Sequence, residues 1–74
     1  MIACVYFVEF EAFLTEQGFV RDDETERTFI YVRGDEVVTA RRPNVHGEIT
    51  EQAINACCDA ADLEPPRFDT HWSD

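Results

Sequence analysis

Arg27-Thr28-Phe29-Ile30-Tyr31-Val32-Arg33-Gly34-Asp35-Glu36-Val37-Val38-Thr39-Ala40-Arg41 is the stretch whose reading decides the fold. Two runs rich in β-branched and aromatic residues flank a Gly-Asp pair. That composition favours strands over residues 27–33 and 36–41. Gly34-Asp35 between them is a two-residue hairpin signal of the II′ or I′ type. Such a turn sets the register. Arg33 pairs with Glu36, Val32 with Val37, Tyr31 with Val38, Ile30 with Thr39 and Phe29 with Ala40. One face then carries Ile30, Val32 and Val37, and the other carries Phe29, Tyr31, Val38 and Ala40. A sheet with one wet face alternates more cleanly than this. Helices are therefore expected on one face, with the tail or another molecule over part of the other. Arg33-Gly34-Asp35 also spells an adhesion tripeptide, but it reads here as the hairpin turn.

Working outward towards the N-terminus, residues 19–21 read as a short strand and residues 22–26 as an acidic loop. Residues 1–17 contain no turn former before Gly18. Phe10, Phe13, Leu14 and Gln17 have helical spacing, and Gly18 suits a helix stop. Residues 5–8 favour strand by propensity, yet nothing punctuates the chain between them and Glu9. One helix ending near Gln17 is expected, with its start left open and its first turns apolar on all sides.

Towards the C-terminus, residues 41–47 form a loop. A second helix runs from Glu48 or Glu51 to Asp62, with Thr50 as its N-cap. At 100° per residue, Ile49, Ala53, Cys57, Ala60 and Ala61 make a buried stripe with Ile54 at its edge. Glu48, Glu51, Asn55, Asp59 and Asp62 make the opposite stripe. Asp59 and Asp62 lie where the helix dipole disfavours anions, with no base one turn away to offset them. Pro65 and Pro66 stop the helix. Phe68 and Trp72 either pin the tail on the sheet or leave it frayed. The expectation is one α+β domain over residues 1–74, with a core at about 8–63 and a tail at 64–74. Its order is α-β-β-β-α, a three-stranded antiparallel sheet packed against two helices.

With 74 residues the chain is one domain, and a domain of this size buries only about 60–65% of its unfolded surface. Sixteen Asp and Glu face six Arg and no Lys, a net charge of −10. Such a surface repels nucleic acid and anionic membranes and attracts basic proteins. A salt-adapted proteome, a GC-rich genome that replaces Lys by Arg, and an acidic face built for a basic groove all account for it. The third leads, because the charge is high for so small a surface. The start of the chain lacks a basic n-region and a cleavage site, and Glu9 and Glu11 interrupt its apolar run far short of a membrane span. The expected location is the cytoplasm of a bacterial, archaeal or infected host cell.

Catalytic groups are sparse. Cys4, Cys57 and Cys58 are odd in number and lack Cys-x-x-Cys spacing, so they read as small buried or half-buried hydrophobes in a reducing compartment. Cys58 is the one expected to be partly exposed, and its acidic, mid-helix setting disfavours thiolate. His46 and His71 have no metal-ligand spacing. No phosphate-cradling loop or nucleophile elbow is present. The reading is of a non-enzyme with no metal and no cofactor.

Residues 13–21 (Phe13 to Arg21, with Gly18-Phe19) and 46–63 (His46 to Leu63) resemble HicA-type toxins. These are small mRNA-cleaving proteins with a fold like that of double-stranded-RNA-binding domains. In that family a Gly-Phe or Gly-Trp opens the first strand and a Pro ends the third, as Gly18-Phe19 and Pro43 would here. The last helix carries apolar residues at the spacing of Ile54, Cys57 and Leu63. The family's catalytic histidine belongs to a Gly-Ser-His motif on the second strand. This chain has Glu24-Thr25-Glu26-Arg27-Thr28 there, so no catalytic residue carries over, and His46 resembles only a loop histidine. The family's basic RNA surface is missing too.

The general character is similar to the acidic nucleic-acid mimics that phages use against restriction or CRISPR systems. The leading expectation is a non-enzymatic inhibitor of a basic DNA- or RNA-binding protein, touching neither nucleic acid nor membrane itself. Its expected site is Asp22, Asp23, Glu24 and Glu26 beside Glu48, Glu51, Asp59 and Asp62. The alternatives are a HicA-like toxin or its inactive relative, and a dimeric structural module of a salt-adapted organism. A second copy of the chain is also an expected partner.

Overall fold

The computed structural model describes residues 1–73. The elements in chain order are β1 (Ile2–Tyr6), α1 (Phe7–Glu16), β2 (Val20–Glu24), β3 (Thr28–Arg33), β4 (Glu36–Arg41), β5 (Glu48–Thr50), α2 (Glu51–Ala61) and β6 (His71–Ser73). The fold is α+β, with two helices and two antiparallel three-stranded sheets, ordered β2-β3-β4 and β5-β1-β6.

The hairpin forms in the expected register, from Arg33 opposite Glu36 to Thr28 opposite Arg41. Gly34 sits at φ 58° while Asp35 does not share the positive φ, the combination a II′ turn requires. Phe29, Tyr31, Val38 and Ala40 are buried, so they form the core face. Ile30, Val32 and Val37 lie on the other face, which carries no helix. Val20 opposes Val32, extending an apolar row from Val37 across the sheet. Val20 and Val37 remain 60% and 63% exposed.

The helix expected to end near Gln17 has its open start fixed here, and a strand not expected from the sequence precedes it. Ile2–Tyr6 is a strand, and the helix begins at the next residue, Phe7. No glycine or proline is needed at the junction. Tyr6 stays extended (φ −67°, ψ 130°), and the Phe7 amide donates to the Gly47 carbonyl at 2.9 Å. Long-range pairing with β5 and β6 replaces the missing local signal. The helix does end where Gly18 predicts: Gly18 takes φ 92°, and the Phe19 amide returns to the Leu14 carbonyl at 3.0 Å. Val5, Phe10, Leu14, Phe19 and Ile54 form the centre of the core.

Three smaller corrections follow. The expected acidic loop is mostly strand: β2 reaches Glu24, with a register shift between Arg21 and Asp23 that leaves Asp22 unpaired as a bulge. The helix α2 starts at Glu51, so Glu48 belongs to β5. Thr50 caps it as expected, accepting from the Ala53 amide at 3.1 Å. Finally Cys58 is fully buried and Ala60 is exposed, so the buried stripe is turned towards Cys58. The reason is tertiary: Ile54, Cys57 and Cys58 all join the core, whereas Ala60 lines an open crevice beside β4.

The tail is pinned, but on α1 instead of on the hairpin sheet. Phe68 packs edge-on against Phe10 and Phe13, with ring centroids 6.2 and 5.9 Å apart. Residues 65–68 then line grooves against both α1 and α2. The tail ends in β6, where Trp72 opposes Ala3 of β1 and is largely exposed.

Candidate binding surface

The sequence leaves open whether the acids of residues 22–26 and those of α2 share a face, and the fold sets them on different elements. Asp22, Asp23, Glu24 and Glu26 are exposed on β2 and the turn after it. Glu51, Asp59 and Asp62 are exposed on α2, which packs on β4. β2 and β4 are opposite edges of one sheet, two strand spacings or about 10 Å apart. The two groups therefore lie at opposite edges of that sheet.

Two acids of the expected set are neutralised. Glu24 pairs with Arg42 at 3.1 Å. Glu48 turns onto the outer face of the small sheet, where His71 Nε2 donates to its carboxylate and Asn44 Nδ2 donates at 3.1 Å. Tyr6 stacks on the His71 ring with centroids 4.5 Å apart. The Glu48 side chain is only 10% exposed. The hydrogen bond from His71, followed by that from Asn44, holds its carboxyl below the ordinary glutamate value. Glu48 is a clasp between β5 and β6 and does not belong to an open anionic stripe.

Arginines are spent the same way elsewhere. Arg21 binds Glu11 at 2.7 Å and Arg33 binds Glu36 at 2.8 Å. Both guanidiniums also lie over aromatic rings, Arg21 over Phe29 and Arg33 over Phe19. Glu11 accepts from the Tyr31 hydroxyl at 2.5 Å. Burial and this neighbouring carboxylate push the Tyr31 phenol up, so it remains a neutral donor. These contacts tie α1 to β2 and β3 and leave fewer bases to balance the outer acids.

The pinned tail adds acids that sequence reasoning missed. Glu9 and Glu16 of α1 line the groove that holds residues 66–69, and Asp69 lines it from the tail side. Glu51 and Asn55 line the groove on the other side of the tail. The helical layer thus gathers Glu9, Glu16, Glu51, Asp59, Asp62 and Asp69, with Arg67 as the base among them. The missed signal was the Phe10, Phe13 and Phe68 trio. Once Phe68 is placed against α1, the acids of tail and helices must share a surface.

The thiols offer no activated nucleophile. Cys4, Cys57 and Cys58 are buried and unpaired. Burial pushes the Cys57 thiol up to about 11, and burial with the Asp59 charge raises Cys58 as well. Among the described residues no group of three or more His, Cys, Asp or Glu is placed to hold a metal ion. Among the described residues no helix is long and apolar enough to cross a membrane. Compared with known proteins, the chain matches no family model, no curated protein and no solved structure.

Proposed function

We propose that this chain is a non-enzymatic binding protein whose acidic helical layer occupies a basic surface built for nucleic-acid phosphates. One observation carries the reading: the acids of α1, α2 and the tail collect on one layer while three of the six arginines are tied up in internal pairs. The carboxylates sit on helices and on a tail anchored by an aromatic contact, so they are held in place before binding. Preorganised anions lose less freedom on docking than flexible ones. A one-signed surface also steers encounter with a basic groove. The acids of β2, on the other edge, supply long-range attraction but do not share the contact face.

The test is competition. Proteins captured on the immobilised chain are challenged with duplex DNA and with RNA. Release by nucleic acid, and by salt above about 0.3 M where screening is short-ranged, supports the proposal. Partners that stay bound through both treatments refute it.

A further inference from the structure

We propose that two copies of the chain associate through the open edge of β4, paired antiparallel about a two-fold axis at Thr39, so that two three-stranded sheets become one of six strands. This goes beyond the acidic-binder reading and stands or falls without it.

The two edges of the β2-β3-β4 sheet are built differently. β2 has a bulge at Asp22 and carries Asp22, Asp23 and Glu24 in succession. Bulges and charges are the usual guards against edge pairing. β4 has neither a bulge nor a proline, and its middle four residues, Val37 to Ala40, are uncharged. Val37, Thr39 and Arg41, all exposed, are the positions whose backbone groups point away from β3. Arg33 and Glu36 flank a two-residue turn and so exchange their backbone bonds, as does every second pair after them. The Arg42 amide, bonded to the Arg27 carbonyl at 3.0 Å, keeps the same phase.

Only outward-pointing residues can bond across the new seam, and opposed side chains must share a face. With Thr39 opposite itself, Val37 meets Arg41 of the second copy, and Val38 meets Ala40. Glu36 meets Arg42, once on each side of the axis. Both ends of the seam therefore carry opposite charges directly across from each other, a stabilising cross-strand pair. Glu36 already holds Arg33, and Arg42 already holds Glu24. Pairing would join them into an alternating Arg33-Glu36-Arg42-Glu24 network. Thr39 across from Thr39 is likewise a favourable pair.

The helical layer fits the same axis. Cys57, Ala60 and Ala61 of α2 line a small crevice with Val37, Val38 and Thr39. Ala53, Ala56 and Ala60 share that flank of the helix, and Ala56 and Ala60 are exposed. Alanine on this flank lets α2 of each copy approach the other closely over the seam. The acids of α2, by contrast, lie on its other sides. The strand seam thus has no unpaired acid, although the whole chain carries −10 and Asp59 borders the alanine flank. Repulsion between the copies acts over longer distances and is screened by salt.

The experiment is mass by light scattering or sedimentation at about 100 µM chain, in low salt and at about 0.3 M salt. The expected result is twice the 8.5 kDa chain mass, with the dimer fraction rising as salt rises. Thr39→Lys sets two ammonium groups opposite each other, and Ala56→Arg fills the alanine flank. Both positions are exposed, and circular dichroism checks that the fold persists. Each variant should return the single-chain mass. A single-chain mass for the unaltered protein in both salts, or a dimer that survives either substitution, overturns the proposal.

Discussion

At Asp62 the chain ends α2 in the left-handed conformation, φ 56° and ψ 41°. Glycine is the usual residue there, because a Cβ is strained at such angles. Asp62 also places an anion at the negative end of the helix dipole. Asp62→Gly should therefore raise stability by about 1 kcal/mol, measured by urea denaturation. Asp62 belongs to the acidic layer, so the same substitution should weaken partner binding. Opposite effects on stability and binding are what a functional acid predicts. Glu48 behaves in the opposite way. Its lowered carboxyl makes it a net stabiliser above the unfolded glutamate value of about 4.3, and that contribution is lost as pH falls through its lower folded value. The comparison that isolates it is Glu48→Gln. The variant should be less stable than the parent near neutral pH, with the gap closing below about pH 4. A constant gap would show that the Glu48 charge does not matter. Cys57 and Cys58 should react with a thiol reagent at pH 8 only slowly in the native state, and promptly in denaturant, because burial raises both thiols.

At the scale of elements, how much could be read from the sequence depended on how local the cause was. The hairpin register was legible residue by residue, because a two-residue turn at Gly34-Asp35 allows one alignment. Helix α2 was legible in its cap and acidic side. Its buried stripe was misplaced by part of a turn, since the burial of Cys58 depends on elements distant in sequence. β1 showed only as strand propensity at residues 5–8, because its partners, Glu48–Thr50 and His71–Ser73, are three-residue strands more than forty residues away. No local pattern announces a strand that short. The acidic surface was half legible: acids on α2 followed from periodicity, whereas Glu9, Glu16 and Asp69 joined them only once Phe68 was placed on α1. That contact is testable. Phe68→Ala removes two edge-on aromatic contacts and should cost about 2 kcal/mol. The amides of β6 should also lose hydrogen-exchange protection before those of β3 do. Equal loss in both strands would mean that the tail is an integral part of the core.

For the whole molecule, the charge is distributed unevenly. The outer face of the hairpin sheet holds Val20, Ile30, Val32, Val37, Thr28 and Thr39, with Asp23 and Arg41 at its two edges, and the β4 edge is free of unpaired acids. The helical layer and the β2 edge carry the excess. A chain that was acidic only for solubility or salt adaptation would have no need to hold its carboxylates on an anchored scaffold. A salt-adapted chain would also unfold in low salt and refold in molar salt, whereas the polarised surface predicts folding at both extremes. The measurement that bears most directly on the central claim is the affinity of a captured basic partner for three proteins across a salt series. These are the parent, Glu51→Lys with Asp59→Lys and Asp62→Lys, and Asp22→Lys with Asp23→Lys and Glu26→Lys. The account predicts that reversing the α2 acids abolishes binding and flattens its salt dependence, while reversing the β2 acids weakens it only at low salt. Binding that survives reversal of Glu51, Asp59 and Asp62 would contradict it.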